Sequence, residues 1–147
     1  MPRDEMQRLV ERWIAGWNAH DADAVAACYA RDAVSRDVGR PTAMPGRESI
    51  RTAIQDYLTA FPDLTAGVGR LGCDGDVVYV EWHATGTHTG SFLALPPSGR
   101  VVQIDGCNVL RVGGEGLFIT EISYWDVAGL LVQVGLLPEP TAQTAPA

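Results

Sequence analysis

Residues 77–87 read Val-Val-Tyr-Val-Glu-Trp-His-Ala-Thr-Gly-Thr, and this stretch decides the fold. β-Branched and aromatic residues dominate it with a period of two, the pattern of a strand with two unlike faces. Val78, Val80, Trp82, Ala84, Gly86 and His88 share one side. Val77, Tyr79, Glu81, His83, Thr85 and Thr87 form the more polar side. The turn Asp74-Gly75-Asp76 stands just ahead of it. Downstream, Pro96-Pro97-Ser98-Gly99 leads into a second strand over Val101–Val112, with Val102, Ile104, Gly106, Asn108, Leu110 and Val112 on one side. Gly113-Gly114-Glu115-Gly116 is a hairpin loop into a last strand, Leu117–Trp125.

Upstream the period changes from two to 3.6. Met6, Leu9, Val10, Trp13 and Trp17 form one stripe of a helix over Asp4–Asn18. Asp21 is placed to cap a second helix running through Ala30. Gly39, Pro41, Pro45 and Gly46 mark Val34–Gly46 as a loop. A third helix spans about Arg47–Ala60, striped by Ile50, Ile54, Tyr57, Leu58 and Phe61 and stopped at Pro62. Three N-terminal helices followed by an antiparallel meander define an α+β class, a curved sheet with helices on one face around an apolar pocket. The length of 147 residues suits one domain over 1–138, with a disordered tail over 139–147. Val127–Leu137 reads as a short apolar helix or coil.

Charge narrows the partners. Eleven arginines, no lysine and eighteen acidic residues give a net charge of −7, and the arginines are scattered, so nucleic acid and anionic membrane are excluded as expected partners. The N-terminus lacks the apolar run of a signal peptide, and Val127–Leu137 is far short of a membrane span. Cys28, Cys73 and Cys107 are widely spaced and read as reduced thiols of a cytoplasmic protein. Gly67-Val-Gly-Arg-Leu-Gly72 matches a dinucleotide-binding string, but no hydrophobic strand precedes it and a turn follows. His83 and His88 fall on opposite faces of a strand, and no Cys/His cluster suggests a metal.

Continued into the last strand, parity groups Thr120, Ile122, Tyr124 and Asp126 on one side, against Glu121, Ser123 and Trp125. Taking the first set as inward aims Asp126, Asn108 and His88 into one interior. A buried carboxyl has a raised pKa, which suits a general acid or base. Asp126 equally fits the N-cap of the segment that follows it. For His88 the alternative is a turn residue beside Gly90, and for Asn108 an amide satisfied by backbone.

Four ordered motifs carry a resemblance: Phe61-Pro-Asp-Leu64, Ala84-Thr-Gly-Thr-His88, Phe92-Leu-Ala-Leu-Pro-Pro-Ser-Gly99 and Trp125-Asp-Val-Ala-Gly-Leu-Leu-Val-Gln-Val-Gly135. With Trp17–Tyr29, which looks like a first helical hairpin, they resemble the SnoaL-like polyketide cyclases of the nuclear-transport-factor-2-like cone fold. The resemblance implies a conical sheet, a homodimer, a deep cavity for a small apolar and polycyclic ligand, and no cofactor. It implies ring closure by an aldol step with Asp126 as acid/base; Asn108 or His88, aimed by strand parity into the same interior, would then steady the enolate. The pocket is then expected to draw on Trp17, Tyr29, Arg36, Phe61, Trp82, Leu110, Ile122 and Tyr124. This chain departs from the likeness at Arg36 and in Ile119–Tyr124, which lacks the His-Trp pair common there. Hydroxylation or epoxide hydrolysis in the same pocket, and ligand binding without catalysis, are the alternatives.

Overall fold

The computed structural model describes residues 1–40 and 42–141. Helices α1 (Arg3–Asn18) and α2 (Ala22–Ala26) form a hairpin, in which the Asp21 carboxylate accepts the Ala24 N–H at 3.0 Å and caps α2. Strands β1 (Tyr29–Asp37) and β2 (Met44–Pro45) follow, then α3 (Arg47–Ala60). Four strands complete the sheet: β3 (Thr65–Asp74), β4 (Val77–Thr87), β5 (Val101–Val112) and β6 (Phe118–Trp125). Helix α4 (Val127–Gln133) closes the chain.

The sheet order is β2-β1-β6-β5-β4-β3. The α+β class and the helical cover are as the sequence implies, with two corrections. Residues 29–37, read as helix end and loop, are a strand, and it runs parallel to β6, so the curled sheet is mixed. The second helix stops at Ala26, short of Ala30. The expected disordered tail falls largely at 142–147, outside the described residues. Gly67–Gly72 lies within β3, which removes the dinucleotide reading.

Two apolar clusters hold the fold. The larger joins α1, α2 and α3 to the sheet through Met6, Leu9, Trp13, Val25, Tyr29, Ile54, Val80, Leu110 and Phe118. A smaller one gathers Phe61, Phe92, Val102, Leu130 and Val134 at the other end, where α4 and the loop after β4 meet. That loop is pinned: Thr89 and Gly90 both donate backbone N–H groups to the Ala60 carbonyl at 3.1 Å. A side chain at Gly90 would meet the Thr59 carbonyl oxygen at 2.1 Å, so the close approach requires glycine. Among the described residues no helix is long and apolar enough to cross a membrane.

Candidate active site

Between the two clusters lies a cavity of about 150 Å³. Its walls are mostly apolar and rich in aromatic rings, including Trp13, Trp17, Tyr57, Trp82, Phe92 and Trp125. Neighbouring rings of the wall meet at angles as different as 40° for Tyr57 and Phe92 and 80° for Tyr57 and Trp125. On the sheet side a row Trp82–Gly106–Trp125 crosses β4, β5 and β6. A Cβ at Gly106 would sit 2.3 Å from the Trp82 indole, so the missing side chain makes room for that ring.

Two carboxylates line this cavity, Asp37 and Glu121, at 3% and 7% exposure. β1 and β6 place them: Ser35 stands opposite Glu121 and Asp37 opposite Ser123, all pointing inward. Glu121 Oε2 accepts the Tyr29 hydroxyl at 2.9 Å and the Ser35 hydroxyl at 2.8 Å. Its Oε1 accepts a short hydrogen bond from the Asn108 amide. Burial pushes the Glu121 carboxyl above its usual range; the three donors oppose the shift and the charge of Asp37 adds to it. Asp37 Oδ2 accepts the Tyr57 hydroxyl at 2.6 Å, and Oδ1 accepts the Trp125 indole N–H at 2.8 Å and the Gly39 N–H at 2.9 Å. Burial, then the Asp37 charge, raises the Tyr57 hydroxyl far above its ordinary value, so Tyr57 is a donor. Burial and then Glu121 do the same to Tyr29. Behind Glu121 the chain continues, with Trp13 Nε1–H donating to the Tyr29 hydroxyl at 2.9 Å.

Asn108 is oriented without ambiguity. Its Oδ1 accepts Trp82 Nε1–H at 2.7 Å and the Ser123 hydroxyl at 3.0 Å, and an indole N–H can only donate. The amide nitrogen therefore faces Glu121, and Asn108 is tied to that carboxyl. Trp17, Tyr29, Phe61 and Trp82 are among the residues that line the cavity. Leu110 is fully buried but belongs to the core beneath it.

Other expectations are corrected. On β6 the inward set is Glu121, Ser123 and Trp125; Tyr124 is 45% exposed and Ile122 is on the outer side. The reason is a bulge: Val112 pairs with Phe118 but Arg111 pairs with Thr120, so the extra residue, Ile119, flips the parity of everything after it. Asp126 is exposed and its Oδ1 accepts the Gly129 N–H at 2.8 Å, capping α4. It is not among the residues that line the cavity. Arg36 is exposed on the outer face of β1.

His88 is 2% exposed but lies off the cavity wall. Its Nδ1 accepts the Ser98 N–H at 3.2 Å and meets the Ser98 hydroxyl at 3.0 Å, which ties together the two ends of the loop carrying Phe92. Its Nε2 is buried without a partner. Phe61 stacks against the ring, with centroids 5.5 Å apart.

Asp37, Glu121, Ser35, Ser123, Tyr57 and Trp125 were missed as a set from sequence. The four polar ones on β1 and β6 showed only as polar residues at every second position, while Tyr57 stood in the stripe of α3 and Trp125 in the last of the quoted motifs. Arg40 lies beside the Tyr57 hydroxyl, and its Nη1 is buried without a partner. Among the described residues no group of three His, Cys, Asp or Glu side chains is placed to hold a metal ion.

Comparison with known proteins agrees with this architecture. IdmH from Streptomyces antibioticus, provisionally assigned as a polyketide cyclase, superposes with a TM-score of 0.74 at 27% identity, covering 88% of this chain and 98% of its own. TsrD from Streptomyces laurentii superposes with a TM-score of 0.83 at 26% identity, covering 93% and 99%. AclR from Streptomyces galilaeus, provisionally assigned as a hydroxylase, gives 0.82 at 24% identity, covering 95% and 87%, a likeness of fold. No curated protein matches the sequence. The sequence profile of the SnoaL-like polyketide cyclases matches residues 7–134, and the chain belongs to that family.

Proposed function

We propose that this chain is an acid–base enzyme, working without a cofactor, that moves a proton on a small, largely apolar molecule as polyketide cyclases do. The observation that carries the reading is the pair of buried carboxylates, Asp37 and Glu121, in a cavity otherwise walled by apolar side chains. Every partner of Asp37 is a donor, so its site is built around the carboxylate form, the form that removes a proton. Glu121, whose carboxyl burial pushes above its usual range, is the one of the two better suited to hold a proton and return it. Asn108 fixes the Glu121 carboxyl. Asp126 has its charge spent on the α4 cap, which argues for the inward pair over it as acid and base.

The cavity volume favours a compact ligand over a polycyclic one. About 150 Å³ is below the roughly 300–1,000 Å³ of pockets for drug-sized molecules and matches a cavity that holds benzene. Epoxide hydrolysis with an arginine between two carboxylates is less well supported, since Arg111 is paired outside the barrel with Asp76 at 2.7 Å. A homodimer formed through the outer sheet face fits the row Tyr79, Val109 and Ile122, adjacent across β4, β5 and β6. A single-domain cytoplasmic protein with three free thiols completes the reading.

The test is exchange of the α-protons of phenylacetone into D2O, followed by NMR. Asp37→Asn and Glu121→Gln should each slow exchange by about 10²–10⁴-fold, the usual contribution of a positioned acid or base. Asp126→Asn, which preserves the cap, should stay within about threefold of wild type. Exchange unchanged in both inward variants would refute the proposal.

A further inference from the structure

The carboxylate pair has an electrostatic consequence that the chemistry of proton transfer does not use. Asp37 and Glu121 are buried in one cavity, and six hydrogen bonds reach them, all from neutral groups: two tyrosines, a serine, an indole, an amide and a backbone N–H. Among the described residues neither carboxylate forms an ion pair, and no arginine or histidine lines the cavity. Arg40, which is not on the cavity wall, lies beside the Tyr57 hydroxyl. Buried charge is ordinarily paired with opposite charge, and here the protein supplies none within the cavity. The walls carry the rings of Trp17, Tyr57, Trp82, Phe92 and Trp125, and aromatic ring faces attract cations. The net charge of −7 draws cations toward the molecule as a whole.

We propose that the ligand of this cavity is a small organic cation, a protonated or quaternary alkylamine, with its charge opposite Asp37 and Glu121 and its alkyl groups against the aromatic walls. The inference rests on the reading of Asp37 and Glu121 as the working groups of the site, and it narrows the substrate to a compact amine that also carries an acidic C–H. The volume agrees: about 150 Å³ is the size of a cavity that holds benzene, the scale of a small branched ammonium. A neutral ligand of the same shape would fill the same walls and leave the charge uncompensated.

The experiment compares choline with 3,3-dimethylbutan-1-ol, its neutral isostere, by isothermal calorimetry and by quenching of tryptophan fluorescence from Trp17, Trp82 and Trp125. Choline should bind at least about 30-fold more tightly. Asp37→Asn should weaken choline about 10-fold and leave the alcohol unchanged or improved. Glu121→Gln, whose one amide oxygen can still accept from Asn108 while the Tyr29 and Ser35 hydroxyls turn to face the new NH2, serves as the second variant if Asp37→Asn does not fold. Equal affinity for the two probes, or choline binding indifferent to both substitutions, overturns the proposal. The two readings fail separately. Loss of choline preference with intact, Asp37-dependent proton exchange sinks the cation and spares the acid–base chemistry, and the opposite pattern does the reverse.

Discussion

Replacing Tyr29 by phenylalanine removes one oxygen atom and tests whether Glu121 is held as the geometry implies. The ring itself should stay in place, since it packs edge-on against Phe118 with centroids 5.4 Å apart and is 2% exposed. Two hydrogen bonds disappear. The donor to Glu121 at 2.9 Å is a bond to a carboxylate, of the kind worth about 1.5–3 kcal/mol. The acceptor for Trp13 Nε1–H, also at 2.9 Å, leaves a buried donor unsatisfied, which costs about 1–3 kcal/mol. The low ends together set a floor of about 2.5 kcal/mol, which lowers Tm by roughly 5–10 °C for a domain of this size.

The sign of the pH dependence adds a second constraint. Tyr29 donates to the ionised form of Glu121, so losing it raises that carboxyl further. The variant's deficit should therefore grow as pH rises from 4.5 to 8 and shrink where Glu121 is protonated in both folded and unfolded chains. Urea unfolding of wild type, Tyr29→Phe, Glu121→Gln and the double variant closes a thermodynamic cycle. A coupling of at least about 1 kcal/mol at pH 8 is expected between the two positions. A Tyr29→Phe cost below 1 kcal/mol, or one independent of pH, would show that the relay from Trp13 to Glu121 is not formed in solution.

Three further substitutions follow from the same geometry. Burial raises the folded pKa of Glu121 above its ordinary 4.5, so wild-type stability from this group is greatest at low pH and falls as pH rises toward the folded value; Glu121→Gln should flatten that slope in a Tm series from pH 4 to 8 and exceed wild type at pH 8. Gly90→Ala places a Cβ 2.1 Å from the Thr59 carbonyl oxygen, and urea unfolding should show a loss of about 2–3 kcal/mol; a loss under 0.5 kcal/mol would mean the loop approaches α3 less closely. Asp126→Ala deletes the cap on Gly129 and should cost about 1 kcal/mol in thermal melts, with the cavity's affinity for choline unmoved.

Much of the fold was legible because its core elements are locally consistent. The stripe of α1, the alternation of β4 and β5 and the hairpin before β6 all place apolar residues where the structure buries them, and Asn108 was correctly aimed inward as the lone polar group on its face. Cross-strand pairing could have carried that success one strand further, since Asn108 stands directly opposite Ser123 and facing partners share a side. What hid Ser123 and Glu121 was taking Ile122 and Tyr124 as the inward side, whereas the residue inserted at Ile119 passes the inward side after Phe118 to Glu121, Ser123 and Trp125. The resemblance to the cyclases identified the family correctly and pointed to the last strand for the acid, but the residue taken from it caps a helix in the structure.

β1 escaped as a strand, and the inward side of β6 was misassigned, for a common reason that bears on function. Their inward residues are Ser35, Asp37, Glu121 and Ser123, while Val34 and Tyr124 stand more than 40% exposed on the other side, the reverse of an ordinary half-buried strand. Apolar alternation cannot find a strand whose polar side faces in, which is why residues 34–46 read as a loop. Such an inversion is unfavourable for folding: it takes two carboxylates out of water and leaves hydrophobic side chains in it. Six donors offset part of that cost, and each belongs to a residue the fold positions for it, from Tyr29 on β1 to Tyr57 on α3 and Trp125 at the end of β6. A purely structural interior would place apolar residues at these four positions and need none of the donors. The two strands that defy the folding pattern are also the two that meet in parallel at the centre of the cavity wall, and local conflict with folding rules of this kind is the expected mark of a functional site.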